Sequence, residues 1–317
     1  MKRSVMFDAL RVVPILYVIA IVHARQYSDV LRNAIDSHFP AWGYIVGAMA
    51  TMFFISGYLL SRRSTIQNWS DVKSFYLKRF VRILPLFAVS LLTFPSASSW
   101  YVKALSLLGA NNFIPGIGAN GSAKNLLTLW FVSVLIVFYA VFPLISWLRR
   151  RNGILFCIGF EVFLALGVYF LKWEPRMVYY FPFFATGVLL SGINERHVFY
   201  GATAFGLGYG VIRSLGMFND VEVILRPLRT FVVIAFSCLL SYAKVLSKPF
   251  SILANSSFYA YLFHRQIFGI LRSMHIPDGW MRIALIYLVF VPMSFVVGWL
   301  VQYEYDQAVR RMTEKRV

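Results

Sequence analysis

Residues 5–24 read Val5-Met6-Phe7-Asp8-Ala9-Leu10-Arg11-Val12-Val13-Pro14-Ile15-Leu16-Tyr17-Val18-Ile19-Ala20-Ile21-Val22-His23-Ala24. A helix needs about 20 apolar residues to cross the ~30 Å hydrocarbon core of a bilayer, and this stretch supplies them. Asp8, Arg11 and His23 are its only ionisable groups apart from the Tyr17 phenol. Runs of the same kind recur to the end of the chain. Of 317 residues, 59% are hydrophobic and 14% charged, where a soluble domain has about 25% charged residues. Mean hydropathy is +0.66. The expected fold is therefore all-α. It is a polytopic integral membrane protein forming a single domain over residues 1–317, with no soluble appendage.

Ten spans are expected, near 5–24, 41–61, 82–98, 126–147, 153–171, 177–192, 198–217, 229–244, 251–272 and 281–303. The third and sixth are short. The stretch 100–115 carries Lys103, Asn111, Asn112 and Pro115 and reads as a loop or re-entrant segment. No small-residue cleavage site follows the first run, so it is expected to be retained as a helix. With the N-terminus inside, 18 of the 31 basic residues fall on the cytoplasmic side. They include Lys2, Arg3, Arg62, Arg63, Lys73, Lys78, Arg79, Arg82 and Arg149 to Arg151, and the cluster from Arg310 to Arg316. An even span count returns that last cluster to the inside, so both termini are expected to be cytoplasmic. The same bias accounts for the net charge of +18, and no nucleic acid is expected. Cys157 and Cys238 both lie in apolar runs and read as packing residues, with neither a disulfide framework nor a metal site.

Ionisable groups inside spans are costly and point to function. His23 closes the first span. Asp8 and Arg11 are three apart, share a helix face and can pair. Arg11 and His23 are about 18 Å apart along an ideal helix and about 120° out of phase. Pro14 lies between them and removes a backbone hydrogen bond, which changes that phase if it kinks or overwinds the turn. A neutral imidazole at His23 can act as a general base; the bland alternative is a hydrogen bond that ties helices together. His264 sits mid-span beside Arg265, and Glu161 is a candidate counter-ion for one of these bases. Arg79 and Arg82 share one helix face. They read either as a phosphate fork or as inner-side positive charge. Trp130 and Tyr139, nine apart, fall on opposite faces of an ideal helix, so at most one lines a given cavity.

These residues together resemble the membrane acyltransferase-3 family, the integral membrane O-acyltransferases of bacterial surface carbohydrates. The opening helix with Asp8, Leu10, Arg11 and His23 is similar to the family's first span. Phe53-Phe54-Ile55-Ser56-Gly57-Tyr58 resembles its Phe-Phe-x-x-Ser-Gly-Tyr/Phe motif, and Arg79-x-x-Arg82-Ile83-Leu84-Pro85 its Arg-x-x-Arg-Ile-x-Pro motif. Trp130, Ser133, Tyr139 and Pro143 follow, then Tyr180 to Gly187, then Tyr261-Leu262-Phe263-His264. The resemblance implies transfer of an acyl group, usually acetyl, from acyl-CoA to a hydroxyl of a cell-envelope polysaccharide or lipid-linked sugar. The location it implies is the inner membrane. It places His23, with Asp8 and Arg11, in the catalytic group. Arg79, Arg82, Ser56, Trp130, Tyr139 and His264 are assigned to acyl-CoA. The thioester is already activated, so no metal is needed. Ser56, Ser133, Asn111 and Asn112 are candidate oxyanion donors.

Two features depart from the family pattern. The family has ten residues between the arginine and the histidine of the first helix, and this chain has eleven. Many members also carry glutamates where Leu135 and Ile136 stand here. A transporter or flippase using His23, Glu161, His264 and Arg265 is a rival reading, though the chain shows no repeat symmetry of the kind transporters carry. A non-catalytic partner in polysaccharide assembly is another, kept open by the missing glutamates.

Overall fold

The computed structural model describes residues 4–38, 41–64, 66–94, 98–117, 122, 126, 128–149, 152–214 and 228–314. Among the described residues every regular element is helical, with no strand. The chain gathers into two compact units. The first comprises Met1–Met49 and Phe199–Val317, the second Ala50–Val198.

The first unit opens with α1 (Val5–Leu16), which continues without a break into a π-helical segment, Tyr17–His23, and a 3-10 turn, Ala24–Tyr27. Pro14 explains the change of winding. It has no N–H to give to Leu10, so the regular ladder is interrupted there. At Tyr17 the amide bonds to the carbonyls of both Val13 and Pro14, and the wider spacing follows. Next comes α2 (Asp29–His38), where the sequence reading expected a loop. After α3 (Ala41–Arg63) leads into the second unit, the chain returns through α9 (Glu195–Ser214). It continues with α10 (Arg229–Ser241), α11 (Ser247–Ser273), α12 (Trp280–Leu285), a second π segment (Ile286–Phe290) and α13 (Val291–Glu314). Ala9, Val12 and Val13 of α1 pack on Phe250 and Ala254 of α11. In lipid, close packing of this kind holds helices together, because the surroundings are as apolar as the side chains.

Asp278, in the α11–α12 connection, reaches the start of α2. Its carboxylate accepts the amides of Asp29 at 2.6 Å and Val30 at 3.0 Å. These are two of the N-terminal amides that a helix leaves unsatisfied. The Ser28 hydroxyl and these amides hold the Asp278 carboxyl below its usual range.

The second unit holds the rest of α3, then α4 (Trp69–Thr93), α5 (Trp100–Leu107), a 3-10 turn (Ala110–Phe113), α6 (Trp130–Leu148), α7 (Gly153–Leu171) and α8 (Pro175–Leu190). Helices α3 and α8 meet at two glycines. A Cβ on Gly57 would lie 2.2 Å from the Phe184 carbonyl oxygen, and one on Gly187 would lie 2.2 Å from that of Phe54. Only bare backbone fits there, which is why a glycine follows Ser56 and another ends the Tyr180-to-Gly187 segment. Asn68 and Asp71 form a capping box that starts α4 well before the expected third span, so the run from Lys73 to Arg82 is helical. The stretch 100–115 forms α5 and the 3-10 turn in place of an open loop.

Among the described residues, five stretches are long and apolar enough to cross a membrane: Val5–Tyr27, Tyr44–Arg63, Trp130–Leu148, Gly153–Leu171 and Trp280–Val309. Helix α10 and the stretch Lys244–Ser273 make a sixth if their 94° bend belongs to one crossing. The sequence reading counted ten. The ten expected spans include α10 and α11 separately and also α4, α8 and α9, which are helical but are not both long and apolar enough to cross. The ends of the expected third and seventh spans, and Lys2, Arg3, Arg150, Arg151, Lys315 and Arg316, lie outside the described residues. On α7, Ile154, Leu155, Ile158, Val162, Phe163, Leu166 and Phe170 are all exposed. An outward apolar face of that extent is foreign to water and suits lipid.

Gly57→Val and Gly187→Val are each expected to lower thermal stability in detergent by about 1–3 kcal/mol or more. Gly159→Val, in open space on α7, is the matched control and should leave the midpoint unchanged. The Asp278 clamp is expected to be fully present above the ordinary aspartate pKa of about 3.9. It should be lost as pH falls through the lower folded-state value. The wild-type unfolding midpoint should therefore show an acid-side drop below about pH 4, and Asp278→Asn should lack that component.

Candidate functional site

In the first unit, the π segment ends on His23 and α11 presents His264. His23 Nδ1 lies 2.8 Å from His264 Nε2. The rings are tilted by only 6° with centroids 4.9 Å apart. With the nitrogens in contact, that spacing means the rings meet edge to edge in one plane. Nitrogen lone pairs point in the ring plane, so this is the geometry of an in-plane hydrogen bond. His264 Nδ1 is 2.7 Å from the Tyr261 carbonyl oxygen.

This network selects the tautomers of a neutral pair. A carbonyl only accepts, so His264 Nδ1 carries the proton. His264 Nε2 then has only a lone pair, and His23 Nδ1–H must donate to it. His23 Nε2 is left as a bare lone pair. It has no hydrogen-bond partner among the described residues. His23 is 6% exposed and His264 0%. The arrangement is that of a base whose second nitrogen is held by an orienting acceptor.

The winding of the first span matters here. A π turn closes i→i+5 rings and so holds about one residue more than an α turn. A seven-residue segment of this winding has room for the surplus residue between Arg11 and His23, and it narrows their ideal difference in phase of about 120°. The Ala20 carbonyl within it accepts from the Tyr287 hydroxyl at 3.0 Å, and Tyr287 itself lies in the second π segment. Below His23, Gln26 accepts from Arg265 at 2.8 Å, and Arg25 is paired with Asp36. Asp8 is buried. Glu161, expected as a counter-ion, lies on α7 of the second unit and makes no hydrogen bond or ion pair among the described residues. Its Oε2 is buried and has no hydrogen-bond partner among the described residues. Sequence reading missed Tyr287 and Gln26. Neither belongs to a motif, and only tertiary contact brings them to the first span.

In the second unit, Arg79 lies over the Phe75 ring at 5.8 Å, within electrostatic reach of the Tyr139 hydroxyl, Arg82 and Arg63. Its Nε is buried and without an acceptor among the described residues. Trp130 belongs to a different cluster, with the Arg176 guanidinium at 4.6 Å and the Tyr180 ring at 5.4 Å. Tyr139 meets the same helix as Trp130, its ring 6.2 Å from that of Phe184 on α8, so the expected opposite faces do not separate their surroundings. Ser56 donates back to the Met52 carbonyl at 2.7 Å. Ser133 donates to Asn111 Oδ1 and accepts from Asn112 at 2.9 Å, while Asn112 also donates to the Gly109 carbonyl. These candidate oxyanion donors thus already bond to protein groups. No cluster of three metal-ligating side chains occurs among the described residues.

The model of one protein family, described as an acyltransferase domain, matches residues 5–303. The chain belongs to the acyltransferase-3 family. The match takes in both units, from the first turn of α1 to α13. Membership in acyltransferase-3, with the apolar helices described above, makes this a multi-pass membrane acyltransferase. No curated protein and no solved structure matches the chain. Within this acyltransferase-3 chain, Phe53 to Tyr58 builds the α3–α8 contact, and Leu135 and Ile136 are buried in α6. An apolar pair there fills core space that a pair of carboxylates could not occupy without partners.

Nitrogen-15 NMR of histidine-labelled protein near neutral pH is expected to show His23 with Nδ1 protonated and Nε2 bare. His264 should likewise be protonated at Nδ1. In His264→Phe the His23 signals should become a mixture of both tautomers.

Proposed function

We propose that this protein is an acyl-CoA-dependent O-acyltransferase. It moves an acyl group, most simply acetyl, to a hydroxyl of a cell-envelope polysaccharide or lipid-linked sugar. The observation that carries the proposal is the bare Nε2 of His23, left so by its bond to His264. A sugar hydroxyl is a weak nucleophile until a base takes its proton. His23 Nε2 takes that proton as the oxygen attacks the thioester carbonyl. The carbon–sulfur bond then breaks, and the imidazolium returns the proton to the departing thiolate. His23 ends neutral, so each cycle starts from the same tautomer. No metal takes part in these steps.

His264, first assigned to the donor, acts in this scheme by positioning His23. Arg11 and buried Asp8 complete the catalytic group. Arg79 and Arg82 contact the phosphates of CoA. This reading is supported by their shared face on α4 and by the Arg79 Nε that lacks an acceptor. Tyr139, beside Arg79, belongs with them. Ser56 and Trp130 are assigned to the donor with them, though Ser56 bonds its own helix and Trp130 already meets Arg176 and Tyr180. The location in this proposal is a bacterial inner membrane, with ten spans, both termini cytoplasmic and one acyltransferase domain. The excess of Lys and Arg on the inner side supports that topology.

Transfer from radiolabelled acetyl-CoA by purified protein in envelope extract tests the proposal. His23→Ala is expected to lower kcat by about 10²-fold or more, and His264→Gln, which still offers an acceptor, to lose less than His264→Phe. Arg79→Ala should act mainly by raising the KM for acetyl-CoA. Full transfer by His23→Ala, or no transfer by the wild type, would remove the assigned base or the enzyme itself.

A further inference from the structure

Arg265, Phe268 and Arg272 follow at steps of three and four residues and form one stripe on α11. Tyr27 lies along this stripe. Its ring stacks on Phe268 at 5.0 Å, and the Arg265 and Arg272 guanidinium carbons lie 5.9 Å and 5.7 Å from its centroid. The stripe begins one residue from His264, and Arg265 acts electrostatically on both His23 and His264.

The two cations have no carboxylate within ion-pair distance among the described residues. The neighbouring arginines do: Arg25 is paired with Asp36, and Arg32 with Asp29 at 2.6 Å. Arg265 is only 6% exposed. One of its five donors reaches Gln26, and its Nε is buried without any acceptor among the described residues. A guanidinium this deep is normally paired. Its removal from water costs several kcal/mol. A desolvated cation–π contact offsets about 2 kcal/mol or somewhat more, and one neutral amide carries no charge to balance the guanidinium. The imbalance has the form of a site whose counter-ion arrives with the ligand.

We infer that Arg265 and Arg272, flanking Tyr27, form a binding site for a phosphate-type oxyanion on the molecule that His23 serves. A planar fork at Arg265 can take two oxygens from below, and exposed Arg272 can close over the group from outside. The location beside His23 rests on the proposed acyl transfer. The existence of the anion site does not, because binding is read without turnover. Three sources share the chemistry: a phosphorylated sugar acceptor, the acyl-CoA donor and a phospholipid headgroup.

The test is calorimetric titration of the full-length protein, in uncharged detergent and stripped of phospholipid, with inorganic pyrophosphate at constant ionic strength. Saturable binding is expected in the wild type and in His23→Ala. Arg272→Gln should weaken it roughly tenfold or more, the worth of one charge-assisted contact, and Arg265→Gln should abolish it. Arg32→Gln, whose cation is already paired, should bind as the wild type does. Arg272 is exposed, so its variant keeps the test decisive even where Arg265→Gln fails to fold. No saturable binding, or equal binding by wild type and Arg272→Gln, would overturn the site. Competition then names the source. Displacement by coenzyme A but not pantetheine places the anion on the donor. Displacement by glucose 1-phosphate but not glucose places it on the acceptor, and by phosphatidylglycerol on a lipid. If none displaces pyrophosphate, the site holds only a free inorganic ion and the assignment to a ligand of the enzyme fails. Intact pyrophosphate binding without acyl transfer would count against the proposed reaction alone.

Discussion

Two imidazoles joined in one plane organise the first unit. A histidine in an apolar helix has to satisfy its ring nitrogens from other protein groups, because lipid offers none. His264 does so through the Tyr261 carbonyl on one side and His23 on the other. That chain of bonds has a direction, set by a carbonyl that can only accept. Its consequence is a single nitrogen, His23 Nε2, with a lone pair and no protein donor. A proton acceptor is thereby held in place by the same contacts that hold α1 against α11.

The winding of the first span serves the same end. A proline alone would only kink α1. Here the ladder widens after Pro14 into a π segment that ends on His23, and Tyr287 satisfies a carbonyl inside it. Such segments persist when tertiary contacts support them, and they cluster at functional sites. Charge is handled differently in different places. Arg25, Arg32 and Arg62 each have a carboxylate. Arg79 and Arg265 keep a buried nitrogen with no acceptor among the described residues. Arg25 keeps a buried Nε of the same kind but has Asp36 beside it, whereas no carboxylate lies within ion-pair distance of Arg79 or Arg265 among the described residues. In the second unit, the constraint is steric. Gly57 and Gly187 let two backbones approach to a distance that no side chain allows.

Composition and the length of the apolar runs decided the helical membrane class, because every backbone amide in lipid must be satisfied within its own helix. Motif order decided the family, and the positions of His23, Arg79, Arg82 and Gly57 were legible as motif members before any coordinate. Span count was not. Hydropathy alone does not distinguish a full crossing from a short, bent or charged helix, as α4, α8 and the α10–α11 bend illustrate. The extra residue before His23 was visible in the sequence, but only the fold revealed the π segment that absorbs it. The pairing of His23 with a residue 241 positions away, the tautomers that follow, and the missing counter-ion at Arg265 were decided by tertiary structure alone. The reason is physical: periodicity reports which face of a helix a residue occupies, whereas a hydrogen bond or an unneutralised charge depends on what another helix places opposite it.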